Sequence, residues 1–199
     1  MLFERGFFNV YKDVSNKLIV NESTQRTRFF SSTSTKSAAG TTVFISHSHD
    51  DLDVGELDGI LGMLKRYNIV PFIDSMDKNM PPVTCADTAK RIKEVIQFCE
   101  KFILIATNNA IESYWCNWEV GIGDVHKYKD HIAILAIKDR AQGADQYKGN
   151  EYLNLYSSIE YFDGTTRYDT GSTIPAGYYV RTPMSENYKI ESFADWLKK

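Results

Sequence analysis

The stretch Thr42-Val43-Phe44-Ile45-Ser46 decides the fold. It is short, rich in β-formers and apolar at consecutive positions, the pattern of a strand covered on both faces. Three more runs follow the same rule: Ile69-Val70-Pro71-Phe72-Ile73, Phe102-Ile103-Leu104-Ile105-Ala106 and Ile132-Ala133-Ile134-Leu135-Ala136-Ile137. Between them Leu57, Ile60, Leu61 and Leu64, and then Ala89, Ile92, Val95 and Ile96, recur at helical spacing. Each connection is longer than the dozen or so residues that a parallel crossover needs. The order β-α-β-α-β-α-β predicts an α/β fold with a doubly wound parallel sheet. A fifth strand near Ser158–Phe162 completes a five-stranded sheet, and a last helix is expected over Ile190–Leu197. Residues 139–157 and 163–187 read as loops, with turns at Asp163-Gly164, Thr170-Gly171 and Ala176-Gly177.

Outside this core the chain changes character. Residues 1–40 carry six basic and three acidic side chains, a net +3, which leaves −6 for residues 41–199 out of a total of −3. They end in the polar run Ser31-Ser32-Thr33-Ser34-Thr35-Lys36-Ser37-Ala38-Ala39-Gly40, so the division is an N-terminal extension and linker over 1–40 and a domain over 41–199. The extension lacks the apolar stretch of a secretory signal. It is basic and hydroxyl-rich like a transit peptide, but Asp13 and Glu22 interrupt that pattern and favour a short arm. No run of about 18 apolar residues exists to cross a membrane. The mild net acidity argues against a chain built to coat nucleic acid. Cys85, Cys99 and Cys116 form an odd set without a CxxC pair, which excludes a dense disulfide scaffold or a cysteine-rich zinc site and fits a reducing, cytoplasmic setting.

Ligands of open α/β sheets sit outside the carboxyl ends of the strands. Those ends are polar here: Ser46-His47-Ser48-His49-Asp50-Asp51, Asp74-Ser75-Met76-Asp77, Thr107-Asn108-Asn109 and Lys138-Asp139-Arg140. Neither GxGxxG nor GxxxxGK[ST] follows the first strand, which disfavours a Rossmann dehydrogenase or a P-loop enzyme. A phospho-acceptor receiver domain shares the fold, and Asp50-Asp51 imitate its acidic pair. It needs an aspartate ending the third strand, where this chain has Ala106-Thr107-Asn108-Asn109. His47, His49 and Asp50 could ligate a metal, but side chains two apart at the strand end, with no further ligand pair elsewhere, read better as a polar loop. The stretch Ser113-Tyr114-Trp115-Cys116-Asn117-Trp118-Glu119 is more specific. Ser113 is a plausible N-cap, which places Trp115 and Glu119 one turn apart on one helical face. An aromatic plane beside a carboxylate suits a cationic or flat heteroaromatic ligand; core packing with a solvated glutamate is the competing reading.

Val43-Phe44-Ile45-Ser46-His47-Ser48 with Asp50 resembles the opening strand of a TIR (Toll/interleukin-1 receptor) domain. Ser113-Tyr114-Trp115-Cys116 with Glu119 resembles that family's third helix with its WxxxE arrangement, and Asp74 to Cys85, with Pro81 and Pro82, falls where the family has its long BB loop. Order and spacing agree over residues 41–137. The tail stretches 159–164 and 174–178 resemble those of compact single-domain bacterial TIR proteins. The resemblance implies a flavodoxin-like fold. It also implies, for the enzymatic members, cleavage of NAD between nicotinamide and ribose.

On that resemblance Glu119 falls on the catalytic glutamate and Trp115 on a ring that packs on the nucleotide. Ser46 and His47 border the nicotinamide, and Asp74 belongs to the lid. NAD is then substrate, and neither a cofactor nor a metal is expected. A free-standing chain of this size is similar to the signalling subunit of Thoeris-type anti-phage defence, which implies TIR self-association and a separate effector that senses the nucleotide product. Two alternatives stand beside this reading: a non-enzymatic TIR interaction module, and, more distantly, an enzyme like the nucleoside deoxyribosyltransferases.

Overall fold

The computed structural model describes residues 2–12, 40–48, 52, 54–73, 85–127, 129–138, 151–168 and 170–199. The strands are β1 (Thr41–Ser46), β2 (Ile69–Phe72), β3 (Lys101–Ala106), β4 (Ile132–Ala136), β5 (Ser157–Phe162), β6 (Gly177–Pro183) and β7 (Tyr188–Ser192). The helices are α1 (Val54–Lys65), α2 (Ala86–Phe98), α3 (Asn108–Glu112), α4 (Tyr114–His126) and α5 (Phe193–Leu197). One sheet runs β2-β1-β3-β4-β5-β6-β7. The first five strands are parallel, four of them the uninterrupted apolar runs and the fifth the strand expected near Ser158–Phe162.

Both faces of the central strands are buried, and residues alternate between them. Val43 and Ile45 of β1 and Ile103 and Ile105 of β3 pack with Leu57, Ile60, Leu61 and Leu64 of α1, and with Phe193, Trp196 and Leu197 of α5. Phe44, Phe102 and Leu104 pack on the other side with Ile92, Val95 and Ile96 of α2 and Cys116 and Val120 of α4. Gly123 lets α4 approach β3, since a Cβ there would lie 3.1 Å from the Phe102 ring.

The sheet is wider than the five strands expected from the sequence. β6 and β7 add an antiparallel extension beyond β5. β7 takes Ile190 to Ser192 out of the expected last helix, which begins at Phe193 with the Ser192 hydroxyl as its N-cap, accepting from Asp195 N at 3.1 Å. β6 buries every second residue, Tyr178, Val180 and Thr182. That period-2 signal is framed by Gly177 and Pro183, which read as loop residues from sequence alone.

The first dozen residues join the same core. Phe3 N donates to Ala136 O at 2.9 Å and Lys138 N donates to Phe3 O at 2.8 Å, so Phe3 lies beside the end of β4 where its pairing with β5 has stopped. The following 3-10 turn, Phe7–Tyr11, lies across α1. Gly59 and Gly62 make that crossing possible: a Cβ on either would lie 2.4 Å from Phe8 O or 2.1 Å from Tyr11 O. Arg5 Nη1 meets the buried Glu56 Oε2 at 2.8 Å, and Gly6 N donates to Oε1 at 3.2 Å.

A cationic cluster occupies the opposite end of the sheet. Lys101, 1% exposed, places its Nζ 3.0 Å from His131 Nδ1 and 4.7 Å from the centre of the Trp196 ring. Burial, reinforced by the Lys199 charge, lowers the Lys101 amine from its ordinary 10.5 to about 8. A base with a lowered folded-state value penalises the native state below that value and releases the penalty as pH rises towards the unfolded value. At neutral pH the penalty is roughly 3 kcal/mol. Lys101→Met is therefore expected to raise the melting temperature at pH 7 and to flatten the stability gain that the native chain shows between pH 8 and pH 10. Denaturant titrations across that range check both parts.

Candidate functional site

The strand order makes the site. The connection after β1 leads to β2 on one side of it, while β3 lies on the other, so the crevice of a doubly wound sheet falls between the carboxyl ends of β1 and β3. Ser46 ends β1 in register with Leu104 of β3. As the second residue after Phe44, it shares the face that looks towards α4.

Two helix caps within seven residues bring α4 to this point. The Thr107 hydroxyl accepts from Ala110 N at 3.1 Å and starts α3. The Ser113 hydroxyl accepts from Cys116 N at 3.3 Å and starts α4, the N-cap expected from the sequence. Asn117 Nδ2 donates to Ile111 O at 2.8 Å, and its Oδ1 accepts from Tyr152 OH, which ties α3, α4 and the turn before β5 together. The buried stripe of α4 is Cys116, Glu119, Val120 and Gly123, at helical spacing. Glu119 thus holds a core position, 2% exposed, and its Oε2 accepts from Ser46 Oγ at 2.5 Å; Ser46 is 1% exposed. A short hydrogen bond to a carboxylate in a low-dielectric setting is of the strong, charge-assisted kind.

The other expected site residues fall differently. Trp115 is half-buried one turn before Glu119 and stacks on Trp118, with ring centroids 4.9 Å apart and planes at 30°. Lys93 Nζ of α2 lies 5.7 Å from the Trp118 ring centre. His47 is buried, with its ring Nδ1 2.9 Å from Ser48 O, which places the proton on Nδ1. Asp74 and the whole Asp74–Pro82 loop lie outside the described residues, as do His49, Asp50 and Asp51. Among the described residues no three His, Cys, Asp or Glu side chains gather to hold a metal ion, and the three cysteines are free thiols. Sequence reasoning missed the Trp118 platform, although Trp118 sits at the i+3 position from Trp115 where such a partner would be sought.

Comparison with protein families matches residues 43–172 to the TIR domain, more than half of the chain. The chain belongs to the TIR-domain family. A search among curated proteins finds no match. TIR domains include NAD-cleaving enzymes and scaffolds, and they self-associate. The matched span runs from β1 through β5 and stops before β6; Phe3, Phe8, Phe193 and Trp196, which lie outside it, pack into the same core. Among the described residues no helix is long and apolar enough to cross a membrane.

Half-burial of Trp115 separates it from the true core tryptophan, Trp196, which is fully buried. Trp196→Ala is expected to cost about 3–5 kcal/mol, the usual loss for a fully buried large side chain. Trp115→Ala is expected to cost roughly 1–2 kcal/mol, the loss of one stacked partner and part of its buried area. Equilibrium unfolding of the two variants side by side checks the ordering.

Proposed function

We propose that this TIR domain cleaves NAD at the bond between nicotinamide and ribose. The observation that carries the proposal is the carboxylate of Glu119, held by Ser46 at the β1–β3 crevice one turn from the partly buried Trp115. Nicotinamide in NAD is a pyridinium cation and leaves as a neutral molecule, so no general acid is required, unlike the two-carboxylate chemistry of ordinary glycosides. The cationic charge moves to the ribose as the bond breaks. A fixed carboxylate beside that ring stabilises the oxocarbenium-like transition state most where water is excluded. The Trp115–Trp118 stack offers a face for the flat part of the nucleotide. His47 borders the nicotinamide and Asp74 contributes to the lid in this reading. Capture of the ribosyl cation by water gives ADP-ribose, and capture by an adenine nitrogen gives a cyclic product; a dry, closed site favours the latter.

NAD is here the substrate, and the reaction calls on neither a metal nor a bound cofactor. We place the activity in the cytoplasm, in bacterial anti-phage defence of the Thoeris type, with the nucleotide product sensed by a separate effector. The resemblance of stretches 159–164 and 174–178 to those of compact single-domain bacterial TIR proteins supports that setting.

Glu119→Gln keeps the shape of the side chain and removes its charge. NAD turnover is expected to fall about 100–1,000-fold, the loss typical of a transition-state charge stabiliser, with the melting curve preserved. Chromatography of nicotinamide release measures it, and wild-type turnover in the folded variant would refute the assignment.

At 2% exposure Glu119 is withheld from solvent in the single chain. Self-association is therefore proposed to admit substrate and complete the site. Turnover per molecule should climb over a hundredfold range of protein concentration, and a constant value with only monomer in light scattering would refute the coupling.

A further inference from the structure

The hydroxyls around the crevice have different duties. Thr107 and Ser113 each use an oxygen lone pair to cap a helix, accepting from Ala110 N and Cys116 N. Ser46 has no such local duty. Its backbone serves the β1–β3 pairing, and its side chain crosses to another element to donate to Glu119 Oε2 at 2.5 Å. Both side chains are more than nine-tenths buried, on a face that also carries Phe44, Leu104, Cys116 and Val120. In such surroundings a hydroxyl replaces part of the hydration that a carboxylate has lost, and it favours the ionised form.

We infer that Ser46 is a positioning residue that acts through Glu119, fixing the direction of its carboxylate and holding it ionised, in place of the substrate contact expected from the sequence. The kinetic half of this inference rests on the NAD-cleaving reading. The Ser46–Glu119 coupling does not, because it is a property of the folded chain. The strand sets where the hydroxyl stands and the two caps set where α4 starts, so the carboxylate is aimed before substrate arrives. A group acting this way governs turnover and its pH dependence, whereas a substrate contact governs KM.

The test uses the full chain with Ser46→Ala, which removes the donor, Ser46→Thr, which keeps a hydroxyl, and Ser46→Cys, which keeps size with a weak donor. Two readouts are taken on each folded variant. One is the pH dependence of kcat and KM with NAD. The other is the protonation of Glu119 followed by NMR on ¹³C-carboxyl-labelled glutamate, with its resonance identified by its absence in Glu119→Gln.

For Ser46→Ala the expected kcat falls about 10–100-fold with KM within roughly twofold. The acid limb of the rate profile and the Glu119 resonance should both move to higher pH. Ser46→Thr should recover most of the rate, with Ser46→Cys between. An unmoved acid limb and resonance in folded Ser46→Ala would overturn the inference, as would a raised KM with kcat unchanged. If no form of the chain cleaves NAD yet the Glu119 resonance moves with Ser46→Ala, the coupling stands and the NAD reading falls. Should Ser46→Ala fail to fold, Ser46→Cys carries the same comparison with the same outcomes.

Discussion

A strand buried on both faces can carry polar side chains only where it ends. β1 shows this constraint at work. Val43, Phe44 and Ile45 are sealed between α1 on one side and α2 and α4 on the other. Beyond them the next polar residue is Ser46, and even there the hydroxyl is enclosed. Enclosure forces the group to find a partner, because an unmade hydrogen bond in the interior costs more than a made one contributes. Glu119 is that partner, and it brings a carboxylate into the same enclosure. The polar pair is therefore a consequence of the sheet's burial as much as a feature of the site.

The segments outside the matched span follow a related logic. Phe3, Phe8, Tyr178, Phe193 and Trp196 complete one face of the sheet together with α1. The arm is held there by packing and by the ion pair between Arg5 and the buried Glu56. Removing one member of a buried pair commonly costs about 3–5 kcal/mol, since the remaining charge keeps its desolvation penalty. The described part of the arm, residues 2–12, is thereby tied to α1. Its hydrogen bonds to Ala136 and Lys138 also place it along the carboxyl edge of the sheet, the edge on which Ser46 lies.

The two ends of the sheet enclose different ionisable groups. Glu119 sits at the carboxyl end of β1, whereas Lys101, Lys127 and His131 gather around the amino end of β3. Burial lowers the basicity of all three. Lys127 donates to the Cys99 carbonyl, and burial pushes the Cys99 thiol up to about 12, so that sulfur is an inert part of the core.

Much of this was legible in the chain itself. Consecutive apolar residues determined the first four parallel strands, because strands covered on both faces can be apolar at every position. Ser113 announced the start of α4 by its chemistry, and the Trp115–Glu119 spacing by helical geometry. The chain alone did not disclose that Glu119 lies inward while Trp115 is only partly buried, because a three- or four-residue spacing defines a common face without saying which neighbours cover it. It did not disclose β6 or β7 either, since strand pairing joins residues that local propensity cannot see, and Gly177 and Pro183 masked the alternation between them. The meeting of Ser46 with Glu119, 73 residues apart, belongs wholly to the tertiary structure. It exists because β1 and β3 pair in one register and two short caps steer α4 back over their ends. No local pattern encodes that register, because it is set by the packing of both helical layers at once.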